Sequence, residues 1–212
     1  MNYLTIALAK GRLGNESIKA FQKIGLGNSI DPTSRKLIFS DKENNISYIF
    51  VKPSDVVTYV QNGVADLGIV GKDILLESNA NVYEILDLGF GKCKFSIAGI
   101  KNQGIYRKDE VLKVATKYPE TTKQYFKERQ QKIEIIKLNG SVELAPLVGL
   151  SDVIVDLVET GNTLKANGLQ VIEDMFDISA RLIVNRVSYR FKYDQIQNIA
   201  EKLERSLMKS DD

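Results

Sequence analysis

Short β-rich apolar runs alternate with segments of helical period along most of this chain, and that alternation limits the fold more than any single motif does. Residues 3–8 read as a first strand. After it, Ile18, Phe21 and Ile24 recur at helical spacing and Gly25 offers a stop. Residues 37–40 and 46–51 read as a hairpin turning at Asn44 and Asn45. Ser54 is expected to cap a helix that Gly63 ends. "DLGIVG" at 66–71 reads as a buried strand running into "KDILLES". The second half repeats the theme, with strands at 95–100, 113–119 and 133–138, a helix at 120–131, another across "SVELAPLVGL" and a strand in "DVIVDLV". Alternation of this kind predicts parallel pairing with helices on both faces of the sheet. Ile196, Ile199, Leu203 and Leu207 predict a packed or partner-binding helix over 192–209.

The 212 residues suffice for one large α/β domain or two smaller lobes. No linker marks a boundary, although "DLGFGKCKF" at 87–95 and "EDMFDISARLIV" at 173–184 are the most suggestive junctions. The net charge of +2 supplies no global field for nucleic acid or an anionic membrane. An anion site must therefore be built locally. Cys93 is the sole cysteine, which rules out an intrachain disulfide and fits a reducing compartment; it reads as a small packed side chain rather than a nucleophile. The N-terminus reads as a strand rather than a signal peptide, and no apolar run approaches membrane-spanning length, so a cytoplasmic protein is expected. The chain has no histidine. Its chemistry must use carboxylates, Lys or Arg, hydroxyls, backbone amides or a metal carried in by a ligand.

The segment "DVIVDLVETGNTLKANG" is the one place where such a site is legible. Ligands gather at the carboxyl ends of strands in open α/β sheets, and residues 160–163 lie where a strand ends and a helix begins. Two hydroxyls, a glycine and the free amides of a helix start make an anion cradle from Thr160, Gly161, Asn162 and Thr163. The same residues also fit an ordinary turn with a capping threonine. Asp152, Asp156 and Glu159 repel phosphate, but they suit a ribose diol, a polyphosphate-bound Mg²⁺ or a developing oxocarbenium ion. Lys10 and Arg12 follow the first strand as candidate polyphosphate contacts, and also fit a solvated turn. Lys52, Lys72 and Lys117 sit at predicted strand ends or helix starts. Lys92 and Lys94 flank Cys93.

Residues 143–169, "ELAPLVGLSDVIVDLVETGNTLKANGL", resemble the phosphoribosyl-pyrophosphate signature of the ATP phosphoribosyltransferase family. "IALAKGRL", "DLGIVGKD", "LGFGKCKFSIA" and "VATKYP" resemble that family's other blocks, in order and over nearly the whole chain. The resemblance implies a two-lobed α/β fold like that of periplasmic binding proteins, with the active site in an inter-lobe cleft. Lobe I would comprise residues 1–92 and 174–212, and lobe II residues 93–173. It implies transfer of a phosphoribosyl group from phosphoribosyl pyrophosphate to N1 of ATP, the opening step of histidine biosynthesis. Catalysis would fall to Asp152, Asp156 and Arg12. The phosphoribosyl pyrophosphate would lie on Glu159, Thr160, Gly161, Asn162, Thr163 and Leu164, and ATP or pyrophosphate on Lys10, Gly11, Lys52, Lys72 and Lys117. Mg²⁺ would arrive with substrate, with no metal held permanently by the protein. The chain looks like the short form, lacking the C-terminal regulatory domain. Such chains are expected as homodimers that join a larger hetero-oligomer with a regulatory subunit resembling histidyl-tRNA synthetase. A solute-binding module would share the fold without the chemistry, but it predicts a secretion signal or an attached DNA-binding region, and neither is seen. Dinucleotide and P-loop enzymes lack their glycine motifs here.

Overall fold

The computed structural model describes residues 3–101 and 110–208. The chain divides into two compact units, one of Met1–Gly91 with Ser179–Asp212, the other of Lys92–Ile178. The expected boundary at 173 therefore falls inside a strand, and the second unit runs on to Ile178.

The first unit is a six-stranded sheet in the order β2-β3-β1-β4-β11-β5. Its strands are β1 (Leu4–Ala9), β2 (Ile38–Asp41), β3 (Ile46–Val51), β4 (Leu67–Gly71), β5 (Tyr83–Asp87) and β11 (Ala180–Val184). Alternation along β1 decides its two faces. Leu4, Ile6 and Leu8 enter one core, with α1 (Arg12–Lys23) and α8 (Tyr193–Met208). Ala7 and Ala9 enter the other, with α2 (Val56–Gln61), and α3 (Lys72–Ser78) packs on the same side. The terminal helix is thus part of the core through Ile196, Ile199 and Leu203. At the first turn, a Cβ at Gly14 would stand 1.8 Å from the Ala9 carbonyl oxygen, so only glycine lets α1 start this close to β1.

The second unit is a five-stranded sheet in the order β10-β6-β9-β7-β8. It comprises β6 (Cys93–Ile100), β7 (Leu112–Thr116), β8 (Ile133–Lys137), β9 (Val153–Val158) and β10 (Leu169–Ile178). One face buries Phe95, Val153 and Val155 with Tyr125 and Phe126 of α4 (Pro119–Glu128). The other buries Ala98 and Ile154 with Ala145 of α5 (Leu144–Leu147) and Leu164 of α6 (Asn162–Ala166).

Several expectations are corrected. Pairing is mixed, not uniformly parallel: β1 is parallel to β3 and β4, and β7 to β8 and β9, but β6 is antiparallel to β9 and β10, and β11 to β4 and β5. The junctions suggested at 87–95 and 173–184 do hold the two unit boundaries, at Gly91/Lys92 and at Ile178/Ser179 between β10 and β11. Ser54 caps nothing; Pro53 opens a short 3₁₀ turn and α2 begins after Asp55 without a side-chain cap. The helix expected across "SVELAPLVGL" is four residues long, because Pro146 lacks a donor and Gly149 turns the chain at φ 73°. Among the described residues no helix is long and apolar enough to cross a membrane.

Candidate functional site

Strand β9 aims its odd-numbered residues at one core and its even-numbered ones at the other, so Asp156 shares a face with Ile154 and Val158. Across the ladder Asp156 is opposed to Ser96, and Ser96 to Asp174 on β10. Ser96 Oγ donates to Asp174 Oδ1 at 2.8 Å and Lys94 Nζ to Asp174 Oδ2 at 2.6 Å. The Lys94 ammonium, aided by Ser96, holds the Asp174 carboxyl below its ordinary range. A polar row thus crosses three strands beneath the loop that leaves β9.

That loop turns at Gly161, whose φ of 72° lies in the left-handed region, and passes directly into α6. Gly161 occupies the cap position, so no side chain caps the helix. The first internal bond is Lys165 N–H to the Gly161 carbonyl at 3.0 Å; the amides of Thr163 and Leu164 open the helix ahead of it. The capping-threonine alternative is not realised: Thr160 Oγ1 lies 3.5 Å from the Asn162 amide, at the limit of a hydrogen bond. Leu164 is buried in the core, so its side chain anchors the loop.

A cavity of about 250 Å³ gathers Asp156, Glu159, Thr160, Gly161, Thr163 and Glu143, the last of which local spacing does not single out. Glu143 stands at the start of α5 after Ser141, which takes a left-handed φ of 50°. Its only signal in the sequence was its place at the head of the "ELAP" block.

Asp152 does not join them. It precedes β9 at the end opposite the loop, four residues and about 13 Å of strand from Asp156. Its carboxylate accepts the Lys113 amide at 2.8 Å, and its own amide donates to the Lys113 carbonyl at 2.9 Å. It ties β9 to β7. Lys117 does lie on the loop's edge, since Thr116 pairs with Val155 in the parallel β7–β9 ladder and Lys117 follows at the level of Asp156. Its ammonium sits 5.8 Å from the Tyr118 ring centre.

In the first unit, Lys10 and Lys52 stand together at the carboxyl ends of the adjacent parallel strands β1 and β3, where the Lys10 amide donates to the Val51 carbonyl at 3.0 Å. Gly11 turns the chain into α1 with φ 102° and no side-chain cap, and Arg12 is the helix's first residue. Lys10 and Gly11 border a cavity of about 290 Å³ with Asn15, Asp31 and Lys36. Thr33 donates its hydroxyl and its amide to Asp31, holding that carboxyl below its ordinary range. Lys72 differs from its neighbours. It is ion-paired with Glu84, which Arg181 also approaches at 3.2 Å, so its charge is already answered. Cys93 packs against the second unit's core. Among the described residues, no three His, Cys, Asp or Glu side chains converge into a set that would hold a metal ion.

Residues 52–205 match the family described as HisG: ATP phosphoribosyltransferase. An ATP phosphoribosyltransferase of Clostridioides difficile is 72% identical over 204 residues, covering 96% of this chain and 98% of that protein. The ATP phosphoribosyl transferase (HisG:HisZ) complex from Thermotoga maritima aligns with a TM-score of 0.83 at 36% identity, over 97% of this chain and 98% of that one. The periplasmic aliphatic sulphonate binding protein SsuA from Escherichia coli shares the fold, with a TM-score of 0.63 at 15% identity over 98% of this chain and 69% of that one.

Proposed function

The chain belongs to the ATP phosphoribosyltransferase family, and on that premise we propose how its own residues divide the work. The reaction moves the 5-phosphoribosyl group of phosphoribosyl pyrophosphate onto N1 of ATP, giving phosphoribosyl-ATP and pyrophosphate, the first step of histidine biosynthesis. The C1–O bond to pyrophosphate breaks and a C1–N1 bond forms. N1 of neutral adenine carries no proton, so no strong general base is needed and a chain without histidine is equipped for the chemistry. What it must supply is alignment and charge stabilisation.

Residues 159–164 hold the 5-phosphate through the amides that open α6 and the hydroxyls of Thr160 and Thr163. Asp156 faces the ribose and stabilises positive charge as it develops at C1. The observation that carries this reading is the single cavity shared by that loop, Asp156 and Glu143; Glu143 takes the second carboxylate position that Asp152 had been expected to fill. Lys10, Gly11, Arg12, Lys52 and Lys117 serve the phosphates of ATP or pyrophosphate; Lys72 positions Glu84 instead. A divalent cation enters with the pyrophosphate as part of the substrate and neutralises the leaving group; we assign it as Mg²⁺. The two compact units correspond to the two lobes of a discontinuous fold. The chain works in the cytoplasm, as its single cysteine supports. It forms a homodimer that joins a regulatory subunit of the HisZ type, as the complex of its Thermotoga maritima relative supports.

A continuous absorbance assay with ATP, phosphoribosyl pyrophosphate, Mg²⁺ and pyrophosphatase, with and without the regulatory subunit, tests the assignment. Product lost on Asp156→Ala is the expected result. Normal turnover in that variant would remove the role given to the acid.

A further inference from the structure

The short helix α7 (Arg186–Phe191) leaves two of its apolar side chains in water. Its inward side sets Tyr189 against the core of the first unit and is anchored by polar bonds at Ser188. Ser188 Oγ donates to Asp66 Oδ1 at 2.6 Å, and Lys192, just past the helix, donates to Asp66 Oδ2 at 2.8 Å and to the Tyr3 carbonyl at 3.1 Å. Asp66 is nearly buried and also accepts the Thr5 amide at 2.8 Å. Asn185 caps the helix through the Val187 and Ser188 amides, and its own amide group donates to the Val60 carbonyl at 2.8 Å. These bonds fix which side of α7 turns outward, and residues four apart share that side. Val187 is left 63% exposed and Phe191 79% exposed, with Arg186 and Arg190 beside them. A surface helix that shows both valine and phenylalanine to water departs from the usual arrangement.

The neighbours extend this face. Tyr83, Tyr189 and Tyr193 form a chain of edge-to-face rings with centres 5.4 and 5.3 Å apart. The Arg186 guanidinium lies 5.0 Å above the Tyr83 ring and donates to Asn81 Oδ1 at 2.7 Å, so it is held ready at little further entropic cost. Together these side chains border a cavity of about 630 Å³ whose lining includes two arginines and no carboxylate. Aromatic and arginine side chains around a central pocket are the composition of an interface hot spot.

We propose that this face docks the regulatory subunit, through a segment of that subunit bearing carboxylates around an apolar anchor. The proposal rests on the partner assigned above. Charge selects the occupant: two copies of this chain meeting here about a two-fold axis would bring Arg186 and Arg190 against their own counterparts, whereas an acidic segment would satisfy both guanidiniums while its apolar side chain covers Phe191. None of these residues belongs to the substrate site.

The test is the binding of the purified regulatory subunit to the full chain, measured by titration calorimetry at low and high salt. The variants are Phe191→Glu and the pair Arg186→Glu with Arg190→Glu, each at exposed positions and each checked for an unaltered thermal midpoint. Both are expected to weaken binding by at least about tenfold, and the arginine pair to flatten its salt dependence. Wild-type affinity in both variants overturns the proposal, as does a wild-type chain that does not bind the subunit. Loss of the homo-oligomer in sedimentation, with subunit binding untouched, overturns it in favour of a second copy. Turnover of ATP and phosphoribosyl pyrophosphate by the same wild-type preparation separates the two readings. No product would remove the transferase assignment, while product alongside unaltered binding in the variants would remove only the docking face.

Discussion

Asp156 on β9 and Ser96 on β6 occupy opposed positions of one antiparallel ladder, with Asp174 opposed to Ser96 in turn. The acid assigned to the sugar is therefore held on the central strand of a five-stranded sheet rather than on an edge strand. A rigid strand fixes its direction better than a loop would, and fixed charges stabilise a transition state without having to reorganise. Asp156→Ala is expected to lower kcat by about 10²–10³-fold with unchanged secondary structure. Thr163→Val removes a hydroxyl donor and is expected to raise the KM for phosphoribosyl pyrophosphate more than it lowers kcat. Steady-state kinetics with each substrate varied separates the two effects.

Asp152 should behave in the opposite way. Its carboxylate accepts the Lys113 amide far from the loop. Asp152→Ala is expected to destabilise the fold by about 1 kcal/mol, read from urea unfolding, while kcat and both KM values stay near wild type. A large fall in kcat without loss of stability would return it to the catalytic group.

Gly14→Ala tests the packing of α1 on β1. The added methyl would lie 1.8 Å from the Ala9 carbonyl oxygen, a backbone atom that cannot swing aside. The expected cost is at least about 1–3 kcal/mol of stability, which overrides the gain in helix propensity that alanine normally brings. A variant as stable as wild type would mean that the helix can shift outward freely.

The Lys94–Asp174 pair predicts a pH dependence. Hydrogen bonding to Lys94, then to Ser96, lowers the Asp174 carboxyl from its ordinary 3.8, and hydrogen bonding to Asp174 raises Lys94 from 10.5. Because the folded state depresses the acid, its contribution is present above 3.8 and disappears as pH falls through the lowered value. The lysine's contribution is present below 10.5 and disappears as pH rises through the raised one. Both groups are exposed to solvent, so salt screens the pair. Asp174→Asn is therefore expected to lower the thermal midpoint modestly at neutral pH, with the difference from wild type shrinking in acid and at high salt. A difference that persists under both conditions would assign the effect to packing.

Much of the architecture was legible from spacing. The first strand, the hairpin at Asn44 and Asn45, helix α4 and the terminal helix all follow from periods of two or 3.6 residues, from glycines where helices stop and from turn residues between strands. Strand β10 was hidden because its pattern is irregular: the ladder to β6 shifts register between Val171 and Glu173 and again between Asp174 and Phe176, which breaks the alternation that marks a strand. Helix α5 is shorter than its spacing implies because its apolar residues keep helical period across a proline and a glycine that limit it.

The sequence by itself determined the loop at residues 159–164, the face on which Asp156 lies, the absence of histidine chemistry and, through its ordered blocks, the family. These are properties of neighbours along the chain, and local spacing decides them. Only the tertiary structure decided which distant groups meet. It put Asp152 at the far end of β9, brought Glu143 into the cavity from the turn after β8, answered the charge of Lys72 with Glu84, and left Val187 and Phe191 of α7 in water by tying Ser188 to Asp66. Each of these depends on strand register and on partners up to 189 residues away in sequence, and the period of a single segment carries no information about either.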